Sequence, residues 1–205
     1  MNRNFLDAPE PFAVFEDWLA EAATTEANDP NAASLATVDA DGLPNVRIVL
    51  VKAVERAGFV FYTNLESTKG QELLGSGKAA LCFHWKTMRR QVRVRGPVTQ
   101  VDAATADDYF ASRPRGSRIG AWASQQSRPL ETNDALHQRV ATLTEKYGES
   151  DEDALAVPRP QHWSGFRLEP IHFELWQDGE FRLHDRVRFE RDAAGADWTS
   201  ARLYP

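Results

Sequence analysis

An antiparallel β-barrel with helices packed around it, a mainly β member of the α+β class, is the fold that the sequence predicts. Two observations carry that prediction. Short runs rich in branched and aromatic residues follow one another through tight turns. No regular alternation of strand and helix is present, which argues against a doubly wound parallel sheet. A third observation sets the scale: 205 residues, 42% of them apolar, are enough to bury a sizeable core in one domain. We expect a single domain over 1–205, with residues 1–10 flexible and 149–161 an acidic, proline-bearing loop.

The elements are justified in order. "PEPFAVFEDWLAEAATTEA" opens on prolines and then spaces Phe12, Phe15, Trp18, Leu19 and Ala22 as the buried stripe of an amphipathic helix. "ASLATVDADGLPNVRIVLVKAV" reads as strand, turn at Asp41-Gly42, and strand; "GFVFYTN" is a third strand. "STKGQELLGSG" is a short helix with Ser67 as N-cap and glycines at its end. "KAALCFHW" and "RRQVRVRGPVTQV" are further strands. "DAATADDYFASRP" is a helix stopped by Pro114, and "LETNDALHQRVATLTEKYG" a longer helix capped within "ETND". Three closing strands are expected in "GFRLEPIHFELWQ", "EFRLHDRVRFER" and "DWTSARLYP".

Composition excludes several functions. A formal net charge of −6 argues against a general nucleic-acid or membrane-surface binder. The N-terminus lacks an apolar h-region and no run is long enough to span a bilayer, so a cytoplasmic protein is expected. One cysteine, Cys82, rules out an internal disulfide and reads as a buried structural thiol. None of the five histidines pairs with another at metal-ligand spacing, so no metal site is expected. "GSGKAA" leads from a helix into a strand, the reverse of a phosphate-binding loop, and is a helix end.

Four clusters carry chemistry. In "RLHDR", strand alternation would place Arg182, His184 and Arg186 on one face, a cationic ladder around a histidine. In "RQVRVRG", Val92 and Val94 face the core while Gln91, Arg93 and Arg95 share the other side; Gln91 could address the edge of a heterocycle. "RIVLVK" brackets apolar residues with Arg47 and Lys52, which would need a bend in the strand to reach one site. "SRPRGSRIGAW" holds Arg113, Arg115 and Arg118 with no acid among them. Together with Tyr109 and Ser117 it offers the donor set of a phosphate site.

These motifs, with "FYTN", "ASQQS" and "WQDGEFRLHDRVRFER", occur in an order that resembles the pyridoxine/pyridoxamine 5'-phosphate oxidase family from about Phe12 to Pro205. The resemblance implies an FMN-binding split barrel working as a homodimer, with FMN between the subunits. It implies FMN contacts from Arg47, Ile48, Val49, Leu50, Val51 and Lys52, from Tyr62, Thr63, Lys69 and Gln91, and from Gln126, Ser127, Trp176 and Arg186. It places Lys52, Tyr109, Arg113 and Ser117 on the substrate phosphate, and Arg182 and His184, the implied catalytic pair, against the pyridine ring. The implied reaction passes a hydride from C4' of the substrate to the flavin. O2 then reoxidises the flavin and releases hydrogen peroxide, and an amine substrate leaves as aldehyde and ammonia. Two departures stand out: Thr68 occupies a position that is basic in many members, and only a short segment precedes the first helix. The alternatives are a related flavin oxidase with a phenazine-type substrate and a non-catalytic protein that binds FMN or pyridoxal phosphate.

Overall fold

The computed structural model describes residues 4–148, 156–193 and 195–205. Among the described residues, nine strands and five α-helices run in the order α1 (Phe12–Thr25), β1 (Ala32–Val38), β2 (Pro44–Glu55), β3 (Gly58–Asn64), α2 (Thr68–Ser76), β4 (Lys78–Trp85), β5 (Arg90–Gln100), α3 (Ala103–Ser112), α4 (Arg115–Ala123), α5 (Asn133–Tyr147), β6 (Trp163–Leu168), β7 (His172–Gln177), β8 (Asp185–Glu190) and β9 (Thr199–Arg202). The sheet order is β4-β1-β2-β3-β6-β5-β7-β8-β9, and a β4–β5 pairing closes the first six strands into a barrel. Every pairing is antiparallel. The expected barrel is present, and β7, β8 and β9 extend it as a flap beyond β5.

The barrel splits at β5. Its first half pairs with β7 through Arg90–Arg95, and its end pairs with β6 through Val98–Gln100. Between them lie Gly96 and Pro97, where a Cβ on Gly96 would stand 2.0 Å from the Glu169 carbonyl oxygen. The facing chain turns the same corner. "GFRLEPIHFELWQ", expected as one strand, is therefore two, broken at Glu169–Ile171, because Pro170 has no N–H to give the ladder.

Eight phenylalanines fill the barrel and the sheet's inner face: Phe12, Phe15, Phe59, Phe61, Phe83, Phe166, Phe173 and Phe189 are each at most 2% exposed. The periodic stripe of α1 supplies two of them. Phe15 meets Phe59 and Phe83 edge-on at 5.1 and 4.9 Å. Burying each such ring is worth about 1.5–3 kcal/mol, so the barrel and α1 form one core. The segment before α1, expected to be flexible, is fastened from Asn4 onward. Phe5 packs against Trp18 at 5.1 Å, and Asp7 pairs with Arg202 of β9 at 2.5 Å.

A second, smaller core mounts α3, α4 and α5 on the outside of β3 and β6. Phe110, Ile119, Tyr147, Val157 and Trp163 form it. The helix α4 lies in a stretch to which the sequence reading assigns no element; α3 ends before Pro114 as expected, and the same proline stands as the residue before the first turn of α4. Of the expected 149–161 loop, residues 149–155 lie outside the described residues. Residues 156–161 form no helix or strand, yet they are held: Val157 is buried and Trp122 Nε1 donates to the Pro158 carbonyl at 2.7 Å.

Candidate functional site

The first group of expected site residues converges. A cleft of about 510 Å³ lies between β2, β3 and the helices α3 and α4, and is lined by Ile48, Val49, Leu50, Lys52, Tyr62, Thr63, Lys69, Tyr109, Arg113, Ser117 and Gln126. The bend required to bring the cationic end of "RIVLVK" into a site exists: the β2–β3 register shifts between Val51 and Ala53, at Lys52. Val51 itself is buried in the main core, on the opposite side from Lys52.

The floor of the cleft is aromatic. Tyr62, Tyr109 and Trp163 stack nearly parallel, with centroids 3.9 Å apart for the tyrosines and 5.2 Å for Tyr62 and Trp163. Gly165 makes room for this, since a Cβ there would come within 2.8 Å of the Tyr62 ring. The Arg113 guanidinium sits 4.9 Å from the Trp163 ring centroid, and its Nη1 is buried without a hydrogen-bond partner. A buried cationic donor with an unused hydrogen is costly unless an acceptor arrives. Burial pushes the Arg113 pKa down and the Tyr109 pKa up, both penalties on charge in a dry wall. Trp163 is not apparent from sequence as a site residue, because it falls at the end of a proline-bearing stretch read as a loop.

At the other end of the cleft, Lys69 projects from the first turn of α2. Ser67 caps this helix by accepting from Gly70 N–H at 3.2 Å. Lys69 Nζ donates to Gln126 Oε1 at 2.7 Å, and burial, with Arg47 nearby, lowers its pKa. Arg47 does not line the cleft. Its guanidinium pairs with Glu72 at 3.1 Å and donates to Thr37 Oγ1, while Asn45 also donates to Glu72 at 3.2 Å. Burial alone would raise the Glu72 pKa, but hydrogen bonds from Thr37, Asn45 and Arg47 outweigh it and hold the carboxyl below its ordinary range. Glu72 is thus a residue the sequence reading missed; an acid inside the helix after "STKG" looks like ordinary helix surface. Ser127, with φ +70°, lies beside Gln126 in an adjoining hollow rather than in the cleft.

The three arginines of "SRPRGSR" part company. Only Arg113 lines the cleft. Arg115 is buried and donates to the Tyr147 carbonyl, and its Nε to the Gly148 carbonyl at 2.9 Å, closing the C-terminal end of α5. Arg118 is buried within α4.

A second group lies across the outer face of the sheet. His84 pairs with Gln91, Gln91 with Trp176, and Trp176 with Arg186, so these residues form one cross-strand row. Arg186 donates twice to Glu174 Oε1, at 3.0 and 2.8 Å, and Arg93 donates to the other carboxylate oxygen. Val92 and Val94 are buried, as their alternation predicts. Cys82 is only half-buried, contrary to the expected core thiol, because it alternates with the inward Leu81 and Phe83 and so faces this outer groove. Burial raises its pKa.

The expected ladder of Arg182, His184 and Arg186 is not a ladder. Residues Glu180–Arg182 form a 3-10 turn, Phe181 and Arg182 take φ of +56° and +64°, and the strand starts only at Asp185. Arg182 and His184 lie at the tip of the β7–β8 hairpin with Trp176, in a hollow of about 420 Å³. Asp178, also there, is a second residue missed in the sequence. Within one chain, then, the cleft and the hairpin tip form separate hollows, and the row of Gln91, Trp176 and Arg186 spans the outer face. Val46, Ile48 and Leu50 on that face are 66, 64 and 37% exposed. No group of metal-ligating side chains forms among the described residues, and no described helix is long and apolar enough to cross a membrane.

A split barrel with a cationic, aromatic-floored cleft and an exposed apolar outer face defines the class: a barrel whose cleft has the donors and flat walls that suit a phosphorylated aromatic ligand. The chain belongs to the pyridoxamine 5'-phosphate oxidase family. Residues 19–147 match the model described as pyridoxamine 5'-phosphate oxidase, and residues 163–205 match the pyridoxine 5'-phosphate oxidase C-terminal dimerisation region. Pyridoxine/pyridoxamine 5'-phosphate oxidases of Brucella canis and Brucella abortus are each 61% identical over 202 residues, covering 98% of this chain and 97% of theirs. Among solved structures, PhzG from Burkholderia lata, in complex with tetrahydrophenazine-1-carboxylic acid, superposes with a TM-score of 0.87 at 32% identity, covering 97% of this chain and 94% of that one. A pyridoxamine 5'-phosphate oxidase-related, FMN-binding protein from Nostoc punctiforme shares the fold, with a TM-score of 0.75 at 14% identity over 98% of this chain and all of that one.

Proposed function

We propose that this protein is an FMN-dependent oxidase that converts pyridoxine 5'-phosphate or pyridoxamine 5'-phosphate to pyridoxal 5'-phosphate, as a cytoplasmic homodimer. The observation that carries the reading is the Arg113 guanidinium, buried against Trp163 with an unsatisfied Nη1 in a cleft shared with Tyr109, Ser117 and Lys52. This is a site short of one phosphate. The 61% identity to named oxidases supports it. A phenazine-type substrate, the runner-up, would leave that phosphate grip without a ligand, and PhzG, at 32% identity, is more distant than the 61% identical oxidases.

The residues present fit FMN. Lys69 is a desolvated ammonium that, among the described residues, donates to Gln126 and, at 3.5 Å, Ser67, and it is ready for a second phosphate. Arg47 stands close enough to lower its pKa. Lys69 and Gln126 would hold the flavin phosphate, with Tyr62, Thr63 and the backbone of 48–51 beside it, and Arg47, tied to Glu72 outside the cleft, would add its charge from behind. Bound FMN supplies the acceptor for the C4' hydride and passes the electrons on to O2. The protein binds and orients: Lys52, Tyr109, Arg113 and Ser117 fix the substrate phosphate, and this anchoring converts phosphate affinity into alignment of C4'.

Arg182 and His184, with Gln91, Trp176 and Arg186, would meet the cleft of a second copy, completing each site across the dimer. Their separation from the cleft within one chain and the exposed Val46, Ile48 and Leu50 support that arrangement. The test is direct. FMN-loaded protein mixed with pyridoxine 5'-phosphate without oxygen is expected to bleach its flavin absorbance, and admitting air restores the colour. Flavin that stays oxidised with both the alcohol and the amine contradicts the proposal.

A further inference from the structure

The chain leaves β7 at Gln177 and turns back on itself before β8. Gly179 allows this, because a Cβ there would stand 2.0 Å from the Leu183 carbonyl oxygen. The turn lays the His184 ring over Trp176 with centroids 4.8 Å apart. Beside it, Asp178 is held twice by Arg89: its N–H donates to the Arg89 carbonyl at 3.0 Å, and its Oδ2 pairs with the guanidinium. That leaves Oδ1, which lies 2.9 Å from His184 Nδ1. A carboxylate only accepts, so this contact places the proton on Nδ1. The Gly179 N–H, 3.3 Å from the same nitrogen, would ask for the opposite tautomer. The shorter, charge-assisted contact is the stronger one. Nε2 then keeps its lone pair, and it makes no hydrogen bond among the described residues of the hollow that it shares with Arg182.

We propose that Asp178 is a positioning residue that fixes His184 as the Nδ1–H tautomer, so that Nε2 presents an acceptor to the substituent at the reacting carbon. The proposal rests on the functional reading above, which puts His184 beside that substituent. Its consequence is selectivity for the direction of reaction. A 4' hydroxyl or amine has a hydrogen to give to Nε2, whereas the aldehyde oxygen of the product has none and meets lone pair against lone pair. Orienting the imidazole through its far nitrogen is the general device by which an outer carboxylate sets a histidine's role.

The test begins with nitrogen NMR of the histidine rings in the full-length FMN-loaded protein, with the His184 signals assigned by their loss in His184→Gln. The expected spectrum shows Nδ1 protonated and Nε2 not. Asp178→Asn is expected to abolish that pattern and to raise the ratio of KM for pyridoxine 5'-phosphate to the inhibition constant for pyridoxal 5'-phosphate by about two- to tenfold, the worth of one hydrogen bond. Arg89→Gln removes the other partner of Asp178 and is expected to leave the tautomer as it is, which separates positioning from mere support of the hairpin. A proton on Nε2 in the unmodified protein, alone or with one on Nδ1, overturns the proposal, as does an Asp178→Asn spectrum identical to the original. A changed tautomer with an unchanged ratio overturns its substrate side. Failure of the oxidase reading would show separately, as flavin that no substrate bleaches.

Discussion

Arg113 and Glu72 show how one side chain's surroundings set its task. Arg113 lies against two aromatic rings and has a hydrogen to spare, so removing its charge should strike binding first. Arg113→Met is expected to raise KM for the phosphorylated substrate by about ten- to a hundredfold, the worth of a charged hydrogen bond, with the fold retained by circular dichroism. Glu72 is the reverse case, a buried acid whose partners are all supplied by the protein. Its folded pKa lies below the ordinary value, so the stabilisation it brings is complete above the unfolded-state pKa and is lost as pH falls through the folded one. Thermal melts from pH 7 downward should show the parent losing stability through that acid range, with Glu72→Gln less stable at neutral pH and less sensitive to acid. Equal slopes for the two would contradict the assignment. Arg113 and Ser117 were legible in the sequence because cations and hydroxyls crowd into one short run, and Lys69 only through the family resemblance. Glu72 and Asp178 were not, because each acts through a partner distant in sequence or across a turn, and a lone acid on a helix or in a turn carries no local signal.

Among the elements, the strands and the capped helices followed from pattern. Ser67 before α2 and Thr132 before α5 both accept from the backbone N–H three residues on, as their positions predict. The misreadings fall where backbone geometry departs from a regular strand. The β7–β8 hairpin tip reads as strand because "FRLHDRVRF" alternates, yet positive φ at Phe181 and Arg182, together with the close approach at Gly179, bends it into a turn. Gly179→Ala should therefore collide with the Leu183 carbonyl and cost about 1–3 kcal/mol of stability. The hairpin lies away from the main core, so we expect a folded protein with an intact cleft and lost turnover: FMN and phosphate binding near the parent values, kcat strongly reduced. Loss of FMN binding as well would show that the hairpin supports the cleft and not only the reaction. The α4 helix was missed for a related reason. Pro114, two glycines and a serine look like loop chemistry, and the packing of Ile119 with Tyr147 of α5 and Trp163 is what the sequence does not show.

The whole molecule is where one chain says least. The sequence shows a barrel and a set of cations, and the structure sorts those cations into a cleft, an outer row and a hairpin tip that no single copy brings together. The apolar run between Arg47 and Lys52 reads as a buried strand, but in one copy Ile48 and Leu50, with Val46, face outward. Val46→Glu, on the exposed face and outside the cleft, is expected to yield folded monomers by sedimentation that have lost turnover. The assembly of each site from two copies is tested most directly by subunit mixing. Arg113→Met and Arg182→Met are each prepared as homodimers that turn over little at a substrate concentration below the parent KM, dissociated, and reassociated together. A site that joins the cleft of one copy to the hairpin tip of the other leaves one of the two sites in each mixed dimer intact, so oxidation of pyridoxine 5'-phosphate returns. If both residues served a site within one chain, every site in the mixture would carry a lesion, and activity would stay at the low level of the two separate variants.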